Sequence, residues 1–434
     1  MKGKNFQIIV LVVFIIAAIF GVLVFSGAIP IGQQNTSGGQ GTVVLWGTFP
    51  AEAIAPLIEN FNQAHQTFVV KYVEKSADTF DQDLLEALAS GTGPDMFFLP
   101  DNLVYHYKNK ILTVPYTSFP LSTFQNSFAE AGEVFLTSTG VLAFPMDIDP
   151  LVMYYNRGML DTAGITAPPV YWGDVVNMVP KLTQKDASGN IVKSAVALGQ
   201  FANITHAKDI LSALFMQGGN PIISEDPQNA GSFISRLGDL VGKYDLSTIL
   251  QFYTEFADPL QNVYSWNRSF SSSSDAFSSE NLAFYFGYGS ELQSLVNKNP
   301  NEDFLPASFP QIKGSAFKLT FGRVTGIAIS SFSKNISTAI TAAGLMSSAN
   351  FAAQFDAALG VAPARRDLLS SVPSGVASAV LYPSALYAKS WLDPSSADTD
   401  NIFQGMVENV LSNSMTPQEA IKDASDKLDL LLAK

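Results

Sequence analysis

The 434-residue chain has no cysteine. That excludes a disulfide framework, a thiolate site and a zinc ribbon, and it removes the thiol through which bacterial lipoproteins carry their lipid. Histidine is nearly as scarce. His65, His106 and His206 are the three present; they stand at no spacing that suits a shared metal ion and read as surface side chains. Basic residues are outnumbered, 25 against 38 acids for a net charge of −13, which argues against a nucleic-acid backbone as partner. There is no Gly-x-Ser-x-Gly elbow, no phosphate-cradling loop and no dinucleotide fingerprint. The formal Ser-x-x-Lys at Ser331–Lys334 lacks the motifs that would accompany it in a serine hydrolase. No internal repeat is visible, and nothing in the residues asks for a metal or a cofactor. Tyr154-Tyr155 could suggest an iron-binding pair, but adjacent strand residues point to opposite faces.

What is present is a large apolar inventory, 47% hydrophobic and 12% aromatic residues, enough for two or three packed domains at this length. Lys2 and Lys4 precede an almost unbroken apolar stretch from Phe6 to Phe25, long enough to cross a membrane with the lysines inside. Residues 1–31 are therefore expected to be an N-terminal transmembrane anchor that holds the rest outside the cytoplasm at the cell membrane. Ser26-Gly27-Ala28 leaves a cleaved signal peptide as the alternative, which would give a secreted or periplasmic protein. Residues 32–41, rich in Gly, Gln, Ser and Thr, read as a flexible leash.

Beyond the leash, short apolar runs alternate with helical periodicity. Val43–Trp46, Phe68–Val73 and Met96–Leu99 read as buried strands, and Ala51–Ala64 and Asp81–Ser90 as the helices between them. This is the pattern of a parallel α/β sheet, whose ligands sit beyond the carboxyl ends of the strands. Further helices are expected at 172–182, 207–216, 246–256 and 338–346. Leu282–Phe286 reads as a strand running out at Gly287-Tyr288-Gly289, and Ser269–Ser279 as an exposed serine-rich loop. Thr416 followed by Glu419 is a capping box that opens a last helix to Leu432.

The stretch Gly140–Arg157 organises the chain. Its two apolar runs are separated by Pro145, Asp147, Asp149 and Pro150, and because proline cannot donate to a central ladder it reads as two strands joined by an acidic crossing between two sheets. In extended backbone Asp147 and Asp149 share a face, roughly 6.5–7 Å apart. They could accept hydrogen bonds from ligand hydroxyls, hydrolyse a glycoside as an inverting pair, or only solvate the hinge or cap a helix.

Taken together, Val43–Gly47, Leu88–Phe98, the crossing at 140–157, Ala163-Gly164-Ile165 leading to Trp172-Gly173-Asp174, Leu282–Gly287 and Gly360–Arg365 resemble the extracellular solute-binding proteins of ABC importers, the maltose-binding-protein-like sugar binders. The resemblance implies a periplasmic-binding-protein-like α/β fold of two discontinuous lobes. The expected limits are 42–148 with 307–350 for the first lobe and 149–306 with 351–434 for the second, joined by hinge crossings near 149, 306 and 350. It also implies capture of a solute, a carbohydrate or oligosaccharide, delivered by lobe closure to the permease subunits of a transporter. The protein would be a monomer and not an enzyme. A secreted carbohydrate-active enzyme using Asp147 and Asp149, or a sensor or adhesin on the same fold, are the other readings.

Site candidates follow from position and chemistry. Trp46, Thr48 and Phe49 close the first strand, and Asp101 and Asn102 follow the third, where the family often touches ligand. Asp147 and Asp149 lie in the crossing, and Asp149 matches a ligand-contacting acid of the family. In the second lobe Trp266, Tyr285 and Tyr288 could cover a sugar face, with Gly287 beside them at the strand end. Arg323 starts a late strand, and Arg365 matches the family's Pro-x-Arg loop; either guanidinium could hold several hydroxyls.

Overall fold

The computed structural model describes residues 41–229, 231–239 and 244–433. The strands that position the site are β1 (Gly41–Gly47), β2 (Phe68–Glu74), β3 (Met96–Pro100), β4 (Ala143–Asn156), β5 (Ile191–Val196), β6 (Leu282–Tyr288), β7 (Phe304–Ala307), β8 (Thr320–Ile329), β9 (Ala362–Pro363) and β10 (Ala388–Lys389). The helices used below are α1 (Ala51–Ala64), α2 (Phe80–Ser90), α3 (Trp172–Leu182), α4 (Ala207–Gln217), α5 (Ala349–Leu359), α6 (Ser396–Leu411) and α7 (Pro417–Leu432).

Local pattern accounts for most of these. In α1, Ile54, Ile58 and Phe61 fall on one buried stripe, and in α2 Phe80, Leu84 and Leu88 do the same before Gly91 ends the helix at φ 71°; that left-handed conformation suits glycine. Thr416 and Glu419 form the expected reciprocal cap of α7. Parallel pairing of β1 with β2 and β3 makes the first wall a α/β layer with its strand ends at Thr48 and Asp101.

Two lobes result, each with its own apolar core. One core is drawn from residues 43–148 and 324–388, the other from 151–321 and 381–432. The segment 351–369 therefore packs in the first core through Phe351, Phe355, Ala362 and Leu369, and Phe309, Leu319 and Phe321 pack in the second. We take the lobes as these cores define them.

The crossing is built differently from the two joined strands expected. Residues 143–156 form one strand, and it is β4's neighbours that change. Up to Pro150 it lies between β8 and β9; from Leu151 it lies between β6 and β7. Both prolines sit where the ladder already alters. Pro145 lies opposite Gly326, next to a register shift, and Pro150 is the last residue paired with β8. Strand β8 also runs through both cores, with Phe321 in the second and Val324 in the first. Its Arg323 is paired with Asp149 at the same level. The third passage is Ala388 to Trp391, against β8; residues 350–355, expected to cross, are inside α5. The serine-rich run contains a short helix, Ser273–Ser278, capped by Ser272.

The anchor expectation is corrected. No helix among the described residues is long and apolar enough to cross a membrane, and residues 1–31, on which the anchor, the membrane contact and the cell-membrane location all rested, lie outside the described residues.

Candidate ligand-binding cleft

A cleft of about 1070 Å³ opens between the lobes, over the crossing strands. Its floor follows from strand register. Asp147 lies opposite Thr325 and Asp149 opposite Arg323, so alternation sends these four side chains to one face while Met146, Ile148 and Val324 point into the first core. All four line the cleft. Asp101 and Asn102, just past β3, and Thr48 and Phe49, just past β1, complete the first wall. Phe49 packs edge-to-face with Phe98 and Phe355, with ring centres 5.0 and 5.2 Å away.

The floor carboxyls are held away from their usual state. Asp147 is 5% exposed and its Oδ1 has no hydrogen-bond partner. Burial, then the charges of Asp149 and Asp101, push it up to about 8, against the pull of the Thr325 hydroxyl. Asp101 rises to about 6 by burial, opposed by the Ser390 hydroxyl that donates to it and by Arg323. Burial also raises Asp149, whose Oδ1 accepts the backbone N–H of Ser290 from the second lobe at 3.0 Å. Gly289 keeps that contact possible: a Cβ there would meet Leu381 at 2.5 Å and Asp149 Oδ1 at 3.2 Å.

The second wall is the amino end of α4 and the chain after β10. His206 precedes α4 in the left-handed region at φ 62°. It is not the surface side chain expected: it lines the cleft, with Nε2 at 2.5 Å from Glu291 and Nδ1 at 3.8 Å from Asp209. Burial works to raise Glu291, but the His206 contact and the Tyr285 hydroxyl outweigh it and hold the carboxyl low. Asp209 accepts the Tyr288 hydroxyl at 2.6 Å and lies 3.5 Å from Arg323, whose guanidinium sits 3.9 Å above the Tyr288 ring. Lys208 is fully engaged by Asp393 at 2.9 Å, Ser396 O at 3.0 Å and Thr399 at 3.0 Å, which ties α4 to α6. Trp391 lines the wall, backed by a nearly parallel Phe403 at 6.2 Å, with its Nε1 donating to Ser212 at 3.2 Å.

Seven of the residues chosen from sequence thus meet around the cleft: Thr48, Phe49, Asp101, Asn102, Asp147, Asp149 and Arg323. The other six do not line it. Trp46 is half-buried with the Lys75 ammonium 3.8 Å over its ring. Trp266 is in the second core, stacked 4.3 Å from Phe270 with its Nε1 on Asn203. Tyr285, on β6, is buried and donates to Glu291. Gly287 makes room for it, since a Cβ would come 2.5 Å from that ring. Tyr288 supports Arg323 and Asp209 from behind the wall. Arg365 spends its fork on Asp367 at 2.8 and 3.0 Å and on Ser347 O.

The residues not foreseen come mostly from the second wall: His206, Lys208, Asp209, Ser290, Phe321, Asp393, Asp400 and Gln404. One signal was available. Lys208 and Asp209 are the charges in a helix whose residues are all buried, and buried charges require partners or a role.

Chemically the cleft offers many acceptors, few free donors and aromatic side chains set into its walls. It does not offer the flanking pair of a glycosidase, because Asp147 and Asp149 project side by side from one strand and Asp149 is tied to Ser290. Fold and site together define a two-lobed capture protein. The chain belongs to the family of bacterial extracellular solute-binding proteins, whose model matches residues 56–381; it is a binding protein and not an enzyme. No curated protein sequence matches it. Solved structures share the fold at low identity. A cyclo/maltodextrin-binding protein complexed with maltotetraose superposes with a TM-score of 0.71 at 15% identity, covering 91% of this chain and 98% of that one. A cyclic α-maltosyl-1,6-maltose binding protein from Arthrobacter globiformis gives 0.72 at 13%, covering 91% and 99%. The GacH receptor of Streptomyces glaucescens, known unliganded and with acarbose, gives 0.63 at 18%, covering 92% and 100%.

Proposed function

We propose that the protein captures an oligosaccharide in the interlobe cleft and, by closing on it, presents it to the permease of an ABC importer. The observation that carries this is the composition of the cleft: aromatic side chains on both walls, the half-buried Phe49 and the largely buried Trp391, around a floor of carboxyl groups and an arginine. Aromatic faces cover the apolar face of a pyranose, while carboxylates accept from its hydroxyls and the guanidinium donates. A volume of about 1070 Å³ is at the upper end of ordinary small-molecule sites and suits several sugar units. The maltotetraose, maltosyl-maltose and acarbose ligands of the structural neighbours support the same class.

Closure follows from the arrangement. Ligand touching both walls binds the closed form better, and only that difference in affinity moves the equilibrium. One copy suffices, since one chain supplies both walls. Isothermal titration of the purified protein against maltodextrins, other oligosaccharides and monosaccharides tests the reading. Micromolar binding, about −8 kcal/mol, to at least one oligosaccharide is expected; no heat from any glycan would end it.

A further inference from the structure

We propose that the captured sugar carries a protonated amine, an amino-sugar unit, which seats against Asp147 with Asp149 beside it; this rests on the oligosaccharide reading above. The first ground is charge. Among the described residues that line the cleft, the lysine, Lys208, is consumed by Asp393 and α6, and the arginine, Arg323, lies against Asp209 and Tyr288. Asp101, Asp147, Asp149 and Asp400 form no close ion pair among the described residues; Arg323 pulls on Asp101 and Asp149, and Lys208 on Asp400, only from longer range. The second ground is an unsatisfied hydrogen-bonding atom in the cleft floor: Asp147 lines the cleft, is 5% exposed, and its Oδ1 is buried and unpartnered.

The groups that face Asp147 decide between a neutral and a cationic occupant. Asp149 stands on its own strand and Asp101 at the end of β3. Asp356 reaches it electrostatically from α5, with both its oxygens also unpartnered. Thr325 is opposite on β8, next but one to Arg323. A neutral hydroxyl would satisfy one lone pair and leave the crowding of acids as it is. An ammonium against the carboxyl makes a hydrogen bond there too and also offsets the repulsion, and a charge-assisted hydrogen bond is roughly twice as strong as a neutral one. Burial and its acid neighbours favour the protonated form of Asp147, so an ammonium seated there, which favours the carboxylate, drives release of that proton to solvent.

The test is calorimetry at pH 7 with glucosamine oligomers, the same oligomers N-acetylated, and maltotetraose, each in two buffers of different ionisation enthalpy. The amine form should bind at least tenfold more tightly than its acetylated counterpart and release up to one proton per ligand. Asp147→Asn should lose at least tenfold in affinity for the amine form and abolish the proton release, with circular dichroism checking that the variant is folded. If it is not folded, proton release by the unaltered protein still decides. Equal or tighter binding of the acetylated or neutral sugar, or binding of the amine without proton release, overturns the proposal while leaving oligosaccharide capture intact. Silence from all three sugars and from the wider glycan panel removes both.

Discussion

The two walls of the cleft are made by different means. The first is made of strand ends and strand faces, Thr48 after β1, Asp101 after β3, Asp147 and Asp149 on β4, and it supplies carboxyl groups outside any close ion pair, with one oxygen of Asp147 unpartnered. The second is made of a helix start and a late return of the chain, and its charges are already matched, Lys208 with Asp393 and Asp209 with Tyr288 and Arg323. The first wall thus keeps its polar capacity for an incoming ligand. The second uses its polar groups to hold a rigid aromatic platform.

The largest way to break this contrast is Trp391→Ala. The ring is almost wholly buried against Phe403, so urea unfolding should show a loss of about 3–5 kcal/mol together with at least a tenfold fall in oligosaccharide affinity. Phe49→Ala on the first wall, where the ring is half-buried, should cost less, about 0.5–1.5 kcal/mol for each ring pair lost.

Next is pH, which acts on the first wall. Asp147 at about 8, Asp101 at about 6 and, below the floor, Asp356 at about 9 are all raised in the folded state. The folded protein then binds more protons than the unfolded chain above the ordinary carboxylate range, and stability must fall as pH rises. The unliganded protein should melt at a higher temperature at pH 5 than at pH 8. A carboxyl held one pH unit above its unfolded value costs the folded state about 1.4 kcal/mol once ionised. Asp147→Asn should flatten the melting profile between those pH values; a profile as steep as the parent's would place the titrating groups elsewhere.

Asp149→Ala tests the link between the walls. It removes the contact to the exposed Ser290 N–H and a carboxylate acceptor that lines the cleft, and the loss of a hydrogen bond from ligand to a charged group, about 1.5–3 kcal/mol, should appear as a ten- to hundredfold weaker ligand. The smallest effect belongs to Arg365→Ala. Its fork is satisfied by Asp367 and Ser347 inside the first lobe, so titration should return the parent affinity, with stability lower by about 1 kcal/mol or less.

The same contrast explains what could be read without coordinates. The first wall was legible because strand ends and i, i+2 alternation map sequence directly onto geometry: from Asp147 and Asp149 in extended backbone their common face follows. The second wall depends on which distant segment returns to the cleft, and nothing local to Asp393 or Asp400 encodes that. Aromatics misled for a related reason. Trp266 and Tyr285 have the chemistry of a sugar platform, but an aromatic near a strand end serves a core equally well, and both are buried with their polar atoms satisfied internally. The unbroken β4 was hidden by its prolines, which interrupt a ladder only where the strand keeps one set of neighbours; here the neighbours change at Pro150.

Closure is the claim on which capture depends, and the absence of cysteine from the chain makes it directly measurable. With Gln82→Cys in the first lobe and Ser188→Cys in the second, both exposed, a spin-label pair reports the interlobe distance at two unique sites. Saturating oligosaccharide should move the distance distribution to shorter values and narrow it. An unchanged distribution under conditions where calorimetry shows the site filled would contradict the account.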